Sequence, residues 1–505
     1  MNRRQFLATS SLLMRADAAP AAVRRYHVCL APDILERSPE LIQVARAAGV
    51  GTIWLAGFLY GHWYYTPERI GAMAKKIRTA GMDAEVIFVP LGHPGDSLGS
   101  KQGEPPLIPP PHWRQCVHAD GSKHWGTSLH APAIQENATA LRRLDGLGFR
   151  TLFLDDDFRL ATGPGGIGGC FCNEHWQAFA QVHGYGAGVR EQIAADAKAR
   201  ILSPQLRAWV EYQCNELTAG FRTLQRARPD MRVGNMVMYL GSEKAGIRLS
   251  DYAGVPMRVG ELMFSDRHFD PVKGKTDELF SALFHRRFVT PELAFSESTA
   301  FPADQLSAAN LAAKLAVSTL SDVRNTMFMS GLTPFPATHW QTLGPAMKQQ
   351  AAIHAQVAGH RPAGPWKHYW GEHSRYVGAD KPFSLFLAAG VPFEVCDSLP
   401  GEGWTFLSDA DAAAQLQATG TELVTRGKVP ETLDGIFAFK RSIRDRLAAV
   451  PHIEEEEPAV CSWLPSASRV LVWNLGRERR ELTVRYRERR IRVSAGALEL
   501  VLVEL

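Results

Sequence analysis

The sequence has few cysteines, no long hydrophobic run and little net charge. Seven cysteines in 505 residues are too few, and odd in number, for a disulfide scaffold. No segment reaches the ~18 uninterrupted apolar residues of a transmembrane helix, so we expect no membrane span. A formal net charge of +4 does not indicate a nucleic-acid partner, which needs a clustered basic face. Hydrophobic residues at 45% and charged residues at 21% are instead typical of globular chains.

The N-terminus has the pattern of an export signal. Arg3 and Arg4 form a twin-arginine pair, a short apolar stretch follows, and residues 16–18 have the A-x-A pattern of a cleavage site. We therefore expect residues 1–18 to be a twin-arginine-type signal peptide and the mature protein to be periplasmic or secreted. A cytoplasmic protein is the alternative, because the apolar stretch is short and charged residues lie close behind it.

Short β-rich runs recur along the chain, each followed by a loop and a helical pattern, as in repeated βα units. The eight predicted strands are residues 26–31, 51–56, 84–90, 150–155, 232–239, 259–264, 292–297 and 324–329. An N-cap residue precedes proline at Ser38, Thr66 and Ser203, which marks three helix starts. The pattern predicts an α/β fold, a (β/α)8 TIM barrel over residues 19–360. A doubly wound open sheet is the alternative.

Two smaller units follow the barrel in the sequence. Residues 361–450 alternate strands and helices, which predicts a small Rossmann-like α/β domain with an open sheet. Residues 451–505 contain four segments in which apolar and polar residues alternate. That alternation predicts a C-terminal antiparallel β domain.

Carboxylates follow two of the predicted barrel strands. In a TIM barrel the reacting groups project from the carboxyl ends of the strands into one cavity. Asp155, Asp156 and Asp157 end the fourth strand, and Glu297 ends the seventh. Hydrolysis of a glycosidic bond needs one carboxyl group to protonate the leaving oxygen and a second to attack or stabilise the anomeric carbon. Strands four and seven can supply that pair across the barrel mouth.

Other residues near the strand ends are candidates for contacts with a substrate. Three adjacent carboxylates raise the pKa of at least one of them, which suits a general acid. Arg159 can offset this effect by pairing with one of them. We expect the substrate-binding residues to be Asp155, Arg159, Tyr239, His339 and Trp340. Packing in the core is the alternative for each of the aromatic residues.

The cysteines include a group that suggests a metal. Cys170, Cys172 and His175 form a C-x-C-x-x-H motif after the fourth strand, and Cys116 lies in the loop after the third. Four N or S ligands complete a closed tetrahedral zinc site. We therefore expect a structural zinc ion that ties these two loops together, and no organic cofactor. A disulfide from Cys116 to Cys170 or Cys172, or free thiols, are the alternatives.

Together these features resemble glycoside hydrolase family 42, the barrel β-galactosidases of the clan-A type. The shared motifs are an acidic end of strand four followed by G-C-x-C, a preceding R-x-x-C loop, and a glutamate ending strand seven. Aligned on Phe158, the family's Asn-Glu motif falls on Asp156 and Asp157, and its nucleophile falls on Glu297. Its cysteine cluster falls on Cys116, Cys170, Cys172 and, in place of the last cysteine, His175.

The resemblance implies a retaining glycosidase in which Glu297 is the nucleophile and Asp157, or Asp156, is the acid/base. Aspartate shortens the acid by one methylene, so we expect a divergent relative rather than a clear member, and inversion is the alternative. The resemblance also implies an oligosaccharide or glycoside substrate of β-galactosidase-like type and a homo-oligomer, a trimer. Two other classes stay open: a non-catalytic carbohydrate-binding barrel, and a metal-dependent hydrolase or lyase that uses Asp155 to Asp157.

Overall fold

The computed structural model describes residues 24–91, 109–155, 158–161, 163, 165–186, 188–260 and 262–505. The predicted signal peptide, residues 1–18, lies outside the described residues, as do Asp156 and Asp157. Within these ranges no helix combines the length and the apolar character needed to cross a membrane.

Eight parallel strands close into a barrel. The first eleven strands of the chain are β1 (Arg25–Leu30), β2 (Thr52–Leu59), β3 (His62–Trp63), β4 (Asp83–Val89), β5 (Gln115–Val117), β6 (Lys123–Thr127), β7 (Thr151–Leu154), β8 (Arg232–Met238), β9 (Met257–Gly260), β10 (Ala294–Thr299) and β11 (Asn325–Met329). All except β3, β5 and β6 pair in the order β1-β11-β10-β9-β8-β7-β4-β2, and β2 pairs back to β1. The predicted TIM barrel is confirmed, and each predicted strand overlaps an observed one.

Helices follow the barrel strands along the chain. They are α1 (Pro32–Arg37), α2 (Glu40–Ala48), α3 (Pro67–Thr79), α4 (Ala133–Arg142), α5 (Asn173–His183), α6 (Val189–Ala199), α7 (Pro204–Ala227), α8 (Asp266–Phe269), α9 (Val272–His285), α10 (Ala308–Leu320) and α11 (Ala337–Val357). Thr66 and Ser203 accept hydrogen bonds from backbone N–H groups in the first turns of α3 and α7, at 3.3 and 3.2 Å. The prediction for Ser38 is wrong, because the short helix α1 ends there and Pro39 occupies the N-cap of α2.

An aromatic layer fills the lower part of the barrel interior. The Phe295 ring lies 4.9 to 6.3 Å from the rings of His27, Trp54 and Phe153. Since side chains on a strand alternate between its two faces, Glu297 shares the inward face with Phe295, one step nearer the carboxyl end. The aromatic layer therefore lies beneath the position of Glu297.

The two appended units are α/β and antiparallel β, as predicted. Four parallel strands in the order β13-β12-β14-β15 form the first sheet. Its elements are β12 (Trp366–Tyr369), α12 (Glu372–Tyr376), β13 (Phe393–Cys396), β14 (Gly403–Leu407), α13 (Asp409–Ala413), β15 (Thr421–Val424) and α14 (Leu433–Ser442). Two antiparallel sheets follow, β16-β19-β20 and β17-β18-β21. Their strands are β16 (His452–Ile453), β17 (Ala459–Leu464), β18 (Arg469–Asn474), β19 (Arg480–Tyr486), β20 (Arg489–Ala495) and β21 (Leu500–Glu504).

The small α/β unit holds a loop at the carboxyl end of the barrel. Lys244, in the loop after β8, forms a buried ion pair of 2.6 Å with Asp380 and donates to the Ser374 carbonyl at 2.9 Å. The Lys244 carbonyl accepts from Gly168 N at 2.7 Å, and Leu160 N donates to a neighbouring carbonyl at 2.8 Å. The loop after β7, which follows the three aspartates, therefore packs on a loop that the small unit holds in place.

Candidate active site

Glu297 faces the barrel interior from β10, the seventh barrel strand. Its side chain is buried. Thr299, two residues along the same strand, donates to Oε1 at 2.5 Å. Arg258 of the neighbouring strand β9 places its Nε 3.0 Å from Oε2. A hydroxyl and a guanidinium thus hold the carboxylate from two sides.

Asp155 shares the same guanidinium. It follows β7 directly, is buried, and forms an ion pair with Arg258 Nη2. Its backbone N–H donates to the Phe88 carbonyl at 2.6 Å, which holds the residue at the end of the strand. Arg258 therefore links the carboxylates of the fourth and seventh barrel strands.

Arg258 itself is completely buried. Its Nη1 lies 2.9 Å from the Met327 sulfur, its Nη2 lies 3.1 Å from the Met236 sulfur, and the guanidinium lies 5.6 Å from the centre of the Phe153 ring. Charges in such apolar surroundings are stabilised only when they are paired. The two carboxylates supply that pairing.

A thiol completes the described surroundings of this ion group. Cys29 of β1 is close enough to Arg258 and Glu297 for electrostatic coupling to both. Burial raises the pKa of the Cys29 thiol to about 12, so the group is neutral near pH 7. It adds no charge to the site.

A cluster of sulfur and imidazole donors lies in the loops beside the barrel mouth. The donor atoms of His130, Cys170, Cys172 and His175 all lie within 4.8 Å of one another. The two imidazole rings are stacked, with centroids 4.2 Å apart. His130 Nε2 lies 3.1 Å from the Cys172 sulfur. Two nitrogen and two sulfur donors match the ligand set of a tetrahedral zinc site.

Three members of this cluster were predicted from the sequence, whereas His130 was missed. Glu174 Oε1 lies 3.3 Å from His130 Nδ1. A carboxylate at this ring nitrogen leaves the other nitrogen, Nε2, free to face the cluster, and metal-binding histidines are commonly oriented in this way. A histidine that precedes α4 by three residues carries no local signal of this role. Only the fold brings it to the C-x-C-x-x-H motif.

The structure places Cys116 next to the cluster rather than within it. Cys116 lies on β5, is buried, and donates to the Gly169 carbonyl at 3.7 Å. A hydrogen bond between Cys116 and Cys170 raises the pKa of Cys116 and lowers that of Cys170. All seven cysteines are free thiols, so the alternative of a disulfide from Cys116 to Cys170 or Cys172 is not present.

Comparison with known proteins identifies the fold. No family model matches the sequence, and no curated protein is similar to it in sequence. Among solved structures, a β-galactosidase from Rahnella sp. R3 matches with a TM-score of 0.60 at 10% identity, over 95% of this chain and 98% of that one. A β-galactosidase from the psychrophilic Marinomonas ef1 matches with a TM-score of 0.57 at 8% identity, over 95% and 99%.

The chain has the fold of these two β-galactosidases. The similarity extends over nearly the full length of both proteins, so it includes the two appended units as well as the barrel. The expected resemblance to barrel β-galactosidases is confirmed at the level of the fold.

The remaining predicted substrate-binding residues are largely buried. Arg159 Nη1 lies 2.9 Å from the Met238 sulfur, and His339 lies 2.9 Å from the Leu306 carbonyl through Nε2. Trp340 packs edge-on against Phe328 with ring centroids 5.8 Å apart. Burial raises the pKa of Tyr239, which lines a small enclosed cavity with residues of α9. Such burial is typical of packing residues, and sugar contacts for these four stay a prediction.

Arg258 is the residue of the carboxylate site that sequence reasoning missed. Its signal was a single arginine within the short apolar run Val255 to Gly260. A charged residue in a barrel strand is buried on either face, so it needs a counter-charge. That signal indicates a paired arginine but does not identify its partners.

Proposed function

We propose that this protein is a glycoside hydrolase in which Glu297 is the catalytic nucleophile. The observation that carries the proposal is the position of Glu297, on the inward face of the seventh barrel strand and held by Arg258 and Thr299. Catalytic groups of TIM barrels lie at the carboxyl ends of the strands. The fold shared with two β-galactosidases supports the same reaction class, a hydrolysis at a glycosidic bond.

In the proposed reaction, the Glu297 carboxylate attacks the anomeric carbon while the bond from that carbon to the leaving oxygen breaks. Asp157, or Asp156, gives its proton to the leaving oxygen. The same aspartate then removes a proton from water, and the water oxygen displaces Glu297 from the anomeric carbon. The products are the free sugar, the released alcohol and the regenerated carboxylate. The anomeric configuration is retained.

The position of Asp155 supports this division of roles. Asp155 is buried and paired with Arg258, so its carboxylate already has a cationic partner. A general acid must carry a proton before the reaction, and a guanidinium beside a carboxylate favours the ionised form. We therefore assign the acid/base role to Asp157 or Asp156. The same pairing opposes the alternative in which all three aspartates bind a catalytic metal.

The variant Glu297→Gln tests the proposal. We expect it to lose activity on a panel of aryl glycosides by several orders of magnitude, as enzymes do when a nucleophile is removed. Glu292→Gln is a matched control, because Glu292 lies just before the same strand and its exposed side chain pairs with Arg324. Equal residual activity in Glu297→Gln and wild type overturns the enzyme assignment at this site, and activity at background level in both favours a carbohydrate-binding barrel. NMR of the first-formed sugar anomer distinguishes retention from inversion.

We further propose that His130, Cys170, Cys172 and His175 hold one structural zinc ion. The donor set fits the ion, since four ligands close a tetrahedral site and leave no open position for catalysis. When bound, the ion would crosslink the loop before α4 to the start of α5. Elemental analysis is expected to find one zinc per chain in wild type, much less in Cys172→Ser, and one in the control Cys461→Ser. A metal-free wild-type protein contradicts this assignment.

A further inference from the structure

Two carboxylates and one guanidinium share the barrel interior, and the guanidinium contacts both acids. Arg258 places Nε 3.0 Å from Glu297 Oε2, an ion pair without hydrogen-bond geometry, and Nη2 pairs with Asp155, so different nitrogens of one planar group contact the two acids. We propose that Arg258 is the positioning residue of this site: its guanidinium orients Glu297 for attack, while Asp155 balances the positive charge of the guanidinium. This inference rests on the proposed nucleophilic role of Glu297.

The geometry fixes the orientation of the nucleophile. Oε2 of Glu297 faces Arg258 Nε at 3.0 Å, and Oε1 accepts from Thr299. Arg258 has no solvent exposure and is packed between two methionine sulfurs, so its guanidinium cannot swing away. A carboxylate held at both oxygens keeps a single direction. Such preorientation lowers the barrier to attack.

The charge of the group suits the reaction. Arg258 from β9 and Cys29 from β1 lie near Glu297, and Asp155 after β7 pairs with the same guanidinium. With the thiol neutral, two carboxylates and one guanidinium leave one net negative charge. The transition state of glycoside hydrolysis resembles an oxocarbenium ion, so a net negative site stabilises it. Without Asp155, the positive charge of Arg258 would cancel the negative charge of Glu297, and the group would be neutral.

Replacement of Arg258 by methionine tests the proposal. Without the guanidinium, two like charges share an apolar interior, and one of them takes up a proton more readily. We expect the acidic limb of the pH profile of kcat/KM to move about 1–3 pH units higher. We also expect kcat to fall by more than KM rises, because the lost contact acts on the nucleophile. Arg258→Lys restores the charge and is expected to recover part of both changes.

The variant Asp155→Asn gives the opposite prediction. It removes the competing carboxylate and leaves the guanidinium to Glu297 alone. We expect the acidic limb to move to lower pH while kcat decreases, because the group becomes neutral. Should Arg258→Met not fold, Arg258→Lys and Asp155→Asn carry the test, with shifts in these opposite directions.

Lys314→Met is the matched control. Lys314 and Glu278 form another buried ion pair, 2.9 Å apart between α9 and α10. This control is expected to reduce stability without moving the acidic limb. The role of Arg258 is overturned if Arg258→Met has the same acidic limb of the pH profile as wild type. It is also overturned if Lys314→Met shifts that limb by the same amount. If Glu297→Gln is inactive while Arg258→Met has the wild-type profile, only this inference fails; if Glu297→Gln is fully active, the proposed function fails.

Discussion

The ion pair between Lys244 and Asp380 predicts a measurable loss of stability when one partner is removed. The two side chains are 1% and 2% exposed. Asp380→Asn leaves the ammonium buried without a counter-charge, and asparagine tolerates the positive φ of 55° at this position. Breaking a buried pair costs about 3–5 kcal/mol, and we expect the lower end because the Ser374 carbonyl still accepts a hydrogen bond from Lys244.

The expected change in melting temperature follows from the size of the protein. An unfolding entropy of about 2.1 cal/mol/K per residue gives roughly 1 kcal/mol/K for a cooperative transition of the whole chain. A loss of about 3 kcal/mol therefore lowers the melting temperature by about 3 °C. Differential scanning calorimetry measures the shift, and urea denaturation measures the free energy of unfolding.

Two further variants make the result specific to the buried pair. Asp409→Asn is the control, because Asp409 pairs with Arg426 at 2.7 Å but is 75% exposed, and we expect a loss below about 1 kcal/mol. Combining Asp380→Asn with Lys244→Met removes the uncompensated ammonium and is expected to recover most of the stability. A loss no larger than that of the control, or a double variant no more stable than Asp380→Asn, refutes this reasoning.

Two other predictions concern pH and helix capping. Burial lowers the pKa of His27 and His285 to about 4. An unfolded histidine has a pKa of about 6.5, so the unfolded chain binds more protons, and the free energy of unfolding falls as the pH drops from about 6.5 to 4. Urea denaturation across this range should show a weaker pH dependence in His285→Gln, and an unchanged slope contradicts the prediction. Ser203→Ala is expected to cost about 1 kcal/mol, whereas Ser38→Ala should cost almost nothing because the Ser38 side chain caps no helix N-terminus; equal losses in thermal melts speak against the capping argument.

Local sequence patterns were sufficient to predict most of the barrel. Apolar β-rich runs indicate strands, and amphipathic stretches indicate helices. Both patterns are set by residues that are neighbours in the sequence. The exact ends of strands were less well predicted: β9 spans Met257–Gly260, whereas the predicted strand covered 259–264. Strand ends depend on pairing with β8 and β10, which lie elsewhere in the sequence.

The contrast between local patterns and long-range pairing also applies to the residues of the site. The sequence by itself identified Glu297 and the C-x-C-x-x-H motif as candidates, because strand ends and short spacings are local features. Only the tertiary structure decided that Arg258 pairs with Asp155, 103 residues away, and that His130 joins Cys170, Cys172 and His175. A buried charge must find a partner, but which partner it finds depends on which strands and loops the closed barrel makes neighbours.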